Sequence, residues 1–223
     1  MVKSSLVDFP EMISCVLFTP GCNYNCFFCH NRELISGPYE SLSVIEAFAF
    51  LKKRQGLLDG VVITGGEPTL HPDLPDIIRR IRDMGFSVKL DSNGSSPEMI
   101  RRILDEELCS YFAIDYKAPA AAYPKYCGPQ ADAGRALETI NLLLKANAAF
   151  EVRTTVFPQL DEDDLRLMCR ELPLLPRYVL NRYKEPPIYL PEHEGWIKSA
   201  ALLNGDLQLL AQKLRTLQPN IIV

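Results

Sequence analysis

Cys22, Cys26 and Cys29 lie within one stretch of eight residues, in the segment Thr19-Pro-Gly-Cys-Asn-Tyr-Asn-Cys-Phe-Phe-Cys-His-Asn. Three thiolates in a C-x3-C-x2-C spacing can each take one iron of a cubane cluster, which leaves the fourth iron without a protein ligand close in sequence. An open iron can chelate a substrate, whereas an electron carrier normally caps all four. The competing reading is structural zinc held by Cys22, Cys26, Cys29 and His30. It requires the adjacent Cys29 and His30 to point at one ion, and structural zinc sites usually draw on two separated pairs. Spacing alone leaves both readings open. A second chemical feature is Gly65-Gly66-Glu67-Pro68. Consecutive glycines let backbone approach a ligand closely, and Glu67 offers an acceptor for an ammonium. Asp91 and Asp115 close two apolar runs, where a carboxylate either faces a site or caps the next helix.

These groups need a frame that brings them together. Apolar runs over 13–19, 61–64, 86–91, 111–115, 150–157 and 177–181 read as strands. Helices are expected over 42–54, 73–84, 97–107, 132–146, 161–172 and 206–217. Their signals are Ser41 or Ser43 as a cap, Gly85 as a closing glycine, Pro97 in a first turn and the acidic start at Asp161. Strand–helix alternation predicts parallel strands with right-handed crossovers, as an open doubly wound sheet or as a closed or partial barrel. Either architecture gathers ligands at the C-terminal ends of the strands, where most of these residues fall. Residues 184–204 read as loop, with no element assigned.

A chain of 223 residues, 47% hydrophobic, can bury one sizeable core and predicts a single α/β domain over 1–223. With 24 Lys+Arg against 28 Asp+Glu, a net charge of −4 supplies no basic field, so no nucleic-acid partner is expected. No apolar run is long enough to span a bilayer, and the N-terminus lacks a signal-peptide pattern. The expectation is a cytoplasmic protein with no membrane partner and with reduced thiols. Seven cysteines are an odd number for a disulfide framework. Cys15, Cys109 and Cys169 read as small buried hydrophobes and Cys127 as an unremarkable thiol. His30 reads as a loop-ordering residue and His71 as a helix cap, while His193 has no assigned role.

The cysteine motif, with aromatic Phe28 before its last cysteine, and a Gly-Gly-Glu-Pro loop after a strand together resemble the radical S-adenosylmethionine superfamily. That resemblance implies a partial (β/α)6 radical-SAM barrel with a core of about 13–182 and a C-terminal extension over 183–223. Its cofactors would be a [4Fe–4S] cluster, held by Cys22, Cys26 and Cys29, and S-adenosyl-L-methionine. It also implies Phe28 against the adenine and Gly65, Gly66 and Glu67 around the methionine amino group.

A narrower resemblance is to the activating enzymes of glycyl radical enzymes. It rests on the stretch from Val7-Asp8-Phe9-Pro10 to Cys29-His30-Asn31, on Asp91-Ser92-Asn93-Gly94, on Asp115-Tyr116-Lys117 and on Arg153 within a strand. By that analogy Asp91, Ser92 and Asp115 lie near the methionine carboxylate and hold a monovalent cation. Asn93 joins the same turn, and Lys117 and Arg153 contact the nucleoside or methionine. The implied activity is reductive cleavage of S-adenosylmethionine, followed by abstraction of a glycine hydrogen on a partner. Anaerobic ribonucleoside-triphosphate reductase is the partner type most resembled, a formate-lyase type the next. A low-potential donor such as flavodoxin or ferredoxin would supply the electron. Two alternatives stand beside this: a radical enzyme acting on a small molecule or RNA, and a non-enzymatic zinc or iron–sulfur binding module. The sequence departs from some activases in two places. No further paired cysteines follow Cys29, and Asn181-Arg182-Tyr183 stands where a late histidine would be.

Overall fold

The computed structural model describes residues 1–199 and 206–223. Eight strands form one sheet and pair strictly in chain order. They are β1 Val2–Ser5, β2 Ser14–Thr19, β3 Gly60–Gly65, β4 Ser87–Ser92, β5 Tyr111–Asp115, β6 Phe150–Val156, β7 Tyr178–Arg182 and β8 Ile221–Ile222. From β2 to β8 every neighbour is parallel, and β1 lies antiparallel on the edge of β2.

That order decides between the two architectures left open by the alternation. A doubly wound sheet reverses its strand order at a switch point and carries helices on both faces. Here the order never reverses, so the sheet winds one way, as a partial barrel does. Side-chain parity agrees. Val61, Ile63, Val88, Leu90, Phe112, Ile114 and Val152 pack in one core with helix residues such as Ile78, Ile100, Ile140 and Leu165. The alternate positions carry Lys89, Asp91, Asp115, Glu151 and Arg153, which are ion-paired on the inner face.

The expected helices form with slightly shorter bounds, as Val44–Lys52, Leu74–Asp83, Pro97–Asp105, Ala133–Lys145, Glu162–Glu171 and Leu207–Leu214. Ser43, rather than Ser41, opens the first by a capping box: its hydroxyl accepts from Glu46 N at 3.2 Å, and Glu46 Oε2 accepts from Ser43 N at 2.9 Å. Asp161 and Asp164 make the same reciprocal pair on Glu162–Glu171. Gly85 ends Leu74–Asp83 at φ +91°, a conformation only glycine adopts without strain.

The sequence reading missed β1 and β8, which are too short to show a period. Gln218, 1% exposed, explains why β8 docks. Its amide donates to Pro173 O at 2.9 Å and accepts from Leu175 N at 3.2 Å, pinning the last turn beside β7. The segment expected as loop over 184–204 contains a helical turn, Glu194–Ile197, while residues 200–204 lie outside those described. Among the described residues no helix is long and apolar enough to cross a membrane.

Candidate functional site

Consecutive parallel strands, β2 to β6, deliver the parts of the site, most of them at their C-terminal ends. β2 runs into the cysteine loop, β3 ends on Gly65, β4 on Asp91 and Ser92, and β5 on Asp115, while β6 carries Arg153. These parts line one cavity of about 270 Å3. Cys22, Cys26, Phe28, Cys29, Gly65, Gly66, Asp91, Ser92, Asn93, Asp115, Lys117 and Arg153 all border it.

Glu67 does not. Expected as an acceptor for an ammonium, it is fully buried with its carboxylate turned into the protein. Oε1 accepts from Thr69 N at 3.0 Å and from Ser92 Oγ at 2.8 Å, and Oε2 accepts from Asn93 N at 2.7 Å. The cause is local: Pro68 starts a short helical turn, Pro68–Leu70, and Glu67 is its cap. Glu67 therefore ties the loop after β3 to the loop after β4 and leaves only backbone, at Gly65 and Gly66, facing the cavity. His71 also differs from expectation. Asp73 stands at the start of the next helix, and His71 Nε2 donates to Pro20 O at 2.9 Å, ordering the entry to the cysteine loop.

The cysteine loop is held from three sides. Gly21 N donates to Leu34 O at 2.7 Å, Asn25 N to Cys127 O at 2.8 Å and Phe27 N to Tyr126 O at 3.2 Å. Gly66 is pressed against it: Gly66 N donates to Thr19 O at 2.9 Å and Glu67 N to Gly21 O at 2.8 Å. A Cβ on Gly66 would stand 1.8 Å from Gly21 O, a position closed to any other residue. His30 Nε2 donates to Lys184 O at 2.7 Å, the loop-ordering role expected of it.

The donor set fits a cubane better than a single ion. Cys22, Cys26 and Cys29 face one cavity, and His30, the fourth ligand a zinc ion would need, has its Nε2 engaged by Lys184 O at 2.7 Å. A cubane takes its thiolates on separate irons. Burial pushes the Cys22 thiol up to about 11 and raises Cys29. A hydrogen bond with Cys127, reinforced by burial, holds Cys26 well above the usual thiol range. Loading metal must therefore expel protons from these thiols. Cys127, expected to be unremarkable, is buried against the motif.

Aromatic packing seals the loop's other side. Phe28 stacks on Phe157 with centroids 4.5 Å apart, so one face is committed to protein while the residue still borders the cavity. Phe27 meets Phe157 at 5.2 Å and Trp196 at 5.2 Å, and His193 stacks on Trp196. The C-terminal segment thus lies across the cysteine loop, a neighbour the sequence did not reveal.

Opposite the cysteines, charges alternate. Lys89 Nζ donates to Asp91 Oδ1 at 2.8 Å and Arg153 Nη1 to Asp91 Oδ2 at 2.8 Å. Arg153 Nε donates to Asp115 Oδ1 at 3.1 Å and Lys117 Nζ to Asp115 Oδ2 at 3.0 Å. Burial opposes ionisation of Asp115, but Lys117 and Arg153 outweigh it and hold the carboxyl at about 2 rather than the ordinary 3.8. A depressed carboxylate stabilises the fold above its unfolded value and loses that contribution as pH falls through its folded one. The stability difference between wild type and Asp115→Asn should therefore stay flat from neutral pH down to about 4 and shrink from there towards pH 2. Urea midpoints measured over that range check it; a difference that shrinks near pH 6 would contradict the pairing.

Thr155 and Asn181 also line the cavity, unanticipated as site residues. Thr155 lies two positions beyond Arg153 on the same face of β6, a period-2 signal that could have found it. Asn181 is the polar group β7 presents in the region where some activases place a histidine.

The family model described as the Radical SAM superfamily matches residues 16–172. A protein of Methanocaldococcus jannaschii, named as a candidate glycyl-radical enzyme activating enzyme, is 32% identical over 195 residues, covering 85% of this chain and 80% of its own. The AdoMet-dependent heme synthase of Methanosarcina barkeri is 30% identical over 155 residues, covering 68% of this chain and 44% of its own. Among solved structures, Streptococcus suis SuiB bound to S-adenosylmethionine superposes with a TM-score of 0.64 at 14% identity, covering 92% of this chain and 44% of that one.

Proposed function

We propose, for a chain that belongs to the radical SAM superfamily, that its radical chemistry is spent on a glycine of a partner protein. The superfamily sets the coarse assignment: an oxidoreductase whose cofactors are a [4Fe–4S] cluster and S-adenosylmethionine. When bound, the cluster supplies one electron to the sulfonium, and cleavage of the S–C5′ bond gives methionine and a 5′-deoxyadenosyl radical. In the proposed reaction the Cα–H of the partner's glycine is lost to that radical, leaving 5′-deoxyadenosine and a glycyl radical.

The chain's own residues position and shield. Cys22, Cys26 and Cys29 supply three thiolates for three irons. Gly65 and Gly66, which line the cavity, would offer backbone to the amino group in place of the Glu67 carboxylate. Arg153 and Lys117 line the cavity and keep N–H donors beyond those given to Asp91 and Asp115, which would be available to the carboxylate and ribose. Ser92 and Asn93 fix the neighbouring turn. Phe28, which borders the cavity, would lie against the adenine, and Phe27, Phe157 and Trp196 would keep water from the cysteine loop when the cluster is bound. A reduced flavodoxin or ferredoxin is the class of donor that matches the potential required.

The observation that carries the glycyl reading is the likeness to the M. jannaschii protein over most of both chains. Anaerobic ribonucleoside-triphosphate reductase is the proposed partner, and a formate-lyase type enzyme the next. In the test, each partner is made with glycine deuterated at Cα and incubated with reduced enzyme and S-adenosylmethionine. Deuterium should enter 5′-deoxyadenosine once per partner site, with a glycyl signal in electron paramagnetic resonance. Deuterium arriving instead from a labelled small metabolite would decide for the reading that the heme synthase likeness favours.

A further inference from the structure

The resemblance implies a monovalent cation at Asp91, Ser92 and Asp115, and the side chains there do not fit one. All four carboxylate oxygens of Asp91 and Asp115 already accept from a cationic donor, at 2.8, 2.8, 3.1 and 3.0 Å. The Ser92 hydroxyl is likewise engaged, donating to Glu67 Oε1 at 2.8 Å and accepting from Gly94 N at 3.0 Å. Lys89, Arg153 and Lys117 set three positive charges against two negative. An added cation would meet three positive charges against two among these five side chains, and would have to compete with a cationic donor at every oxygen of Asp91 and Asp115.

We infer that Lys89 is the built-in replacement for that cation, a positioning residue that completes the charge behind the methionine carboxylate. Its place supports this. Lys89 precedes Asp91 by two residues on β4, so both point to the inner face. Its side chain is 2% exposed. A buried ammonium costs several kcal/mol unless paired, and Asp91 is the only carboxylate among the described residues within ion-pairing distance of it. Lys89 also borders a second cavity of about 330 Å3, lined by Asp8, Glu151, Arg153 and Arg177. Arg153 borders both cavities, and Lys89 stands behind it on the side of the second, sharing Asp91 with it. Without Lys89, Asp91 Oδ1 loses its donor and the remaining group of Asp91, Arg153, Asp115 and Lys117 sums to zero. A small cation then finds a carboxylate oxygen without a donor and no net positive charge to oppose it.

The inference rests on the adenosylmethionine site proposed above, so its test has two readouts. In the first, anaerobically reconstituted holoenzyme is titrated calorimetrically with S-adenosylmethionine in potassium, sodium or choline chloride at equal ionic strength. Wild type should bind within about twofold in all three, while Lys89→Met should weaken by about tenfold in choline and recover in potassium, a coupling of ordinary size. Lys89→Arg should behave as wild type, which a purely structural loss would not explain. In the second, crystals soaked in thallium acetate should show no anomalous peak between Asp91 and Asp115 in wild type, and one in Lys89→Met. A wild-type peak there, or tenfold tighter wild-type binding in potassium, overturns the inference. No binding heat in any salt, together with the expected thallium result, would instead overturn the site proposed for S-adenosylmethionine and leave the charge replacement standing.

Discussion

Replacing Cys22, Cys26 or Cys29 by alanine, one at a time, is expected to leave protein that folds but holds no intact four-iron cluster and cleaves no S-adenosylmethionine. The three thiols face one cavity on a loop whose backbone is fixed from outside by Leu34, Tyr126 and Cys127. That anchoring does not depend on metal, so apoprotein should keep its secondary structure. No other cysteine borders the cavity among the described residues, so a missing ligand has no replacement on the rim. Cys15 and Cys169 are buried among apolar side chains and Cys109 packs beside them. Alanine at any of these should retain about four irons, and so should Cys127→Ala, although that thiol hydrogen-bonds Cys26. Iron and sulfide quantification on anaerobically reconstituted protein reads the whole series. Full iron in any of the three motif variants would sink the assignment.

The other large effect is expected at Gly66. Its missing Cβ would sit 1.8 Å from Gly21 O and 2.6 Å from Gly21 C, both backbone atoms that no rotamer can move aside. Gly66→Ala must separate the loop after β3 from the cysteine loop, breaking the bonds from Gly66 N and Glu67 N to Thr19 O and Gly21 O. Overpacking with lost hydrogen bonds costs on the order of 3–5 kcal/mol. For a chain of this size that lowers Tm by roughly 10–15 °C. Iron should fall with it, because the displaced loop carries Cys22. Gly195→Ala is the control: nothing lies within 4 Å of its would-be Cβ, so its melting temperature should match wild type. Equal melting of both variants would mean that the clasp between the loops is looser than the geometry implies.

The parts of the site legible in sequence were those set by local spacing. The cysteine motif, the glycine pair and the strand-end aspartates are each written within a few residues, and the fold brings them to one mouth. Orientation was not local. Glu67 sits in the expected loop, but Pro68 and Thr69 turn its carboxylate inward to receive Ser92 and Asn93, which come from a different strand. Lys89 went unnoticed for a related reason. A charged residue between apolar Val88 and Leu90 reads as the solvent face of a strand, and here that second face is the inside of a curved sheet. Strand–helix alternation is the same for a barrel and a doubly wound sheet, so only the observed pairing order separates them. β1, β8 and the turn at Glu194–Ile197 are shorter than any period that could announce them.

Trp196 is the only tryptophan in the chain, and its ring lies 5.2 Å from Phe27, between the second and third motif cysteines. The protein therefore carries its own optical gauge. Iron–sulfur clusters absorb broadly where indole emits, and a separation of one aromatic ring is short for energy transfer. Tryptophan emission should be bright in apoprotein, fall steeply as the cluster assembles and return when air destroys it. Trp196→Phe should be dark throughout. Cluster assembly could then be followed continuously in a sealed cuvette, without added dye or substrate, and emission indifferent to iron loading would show that Trp196 lies elsewhere.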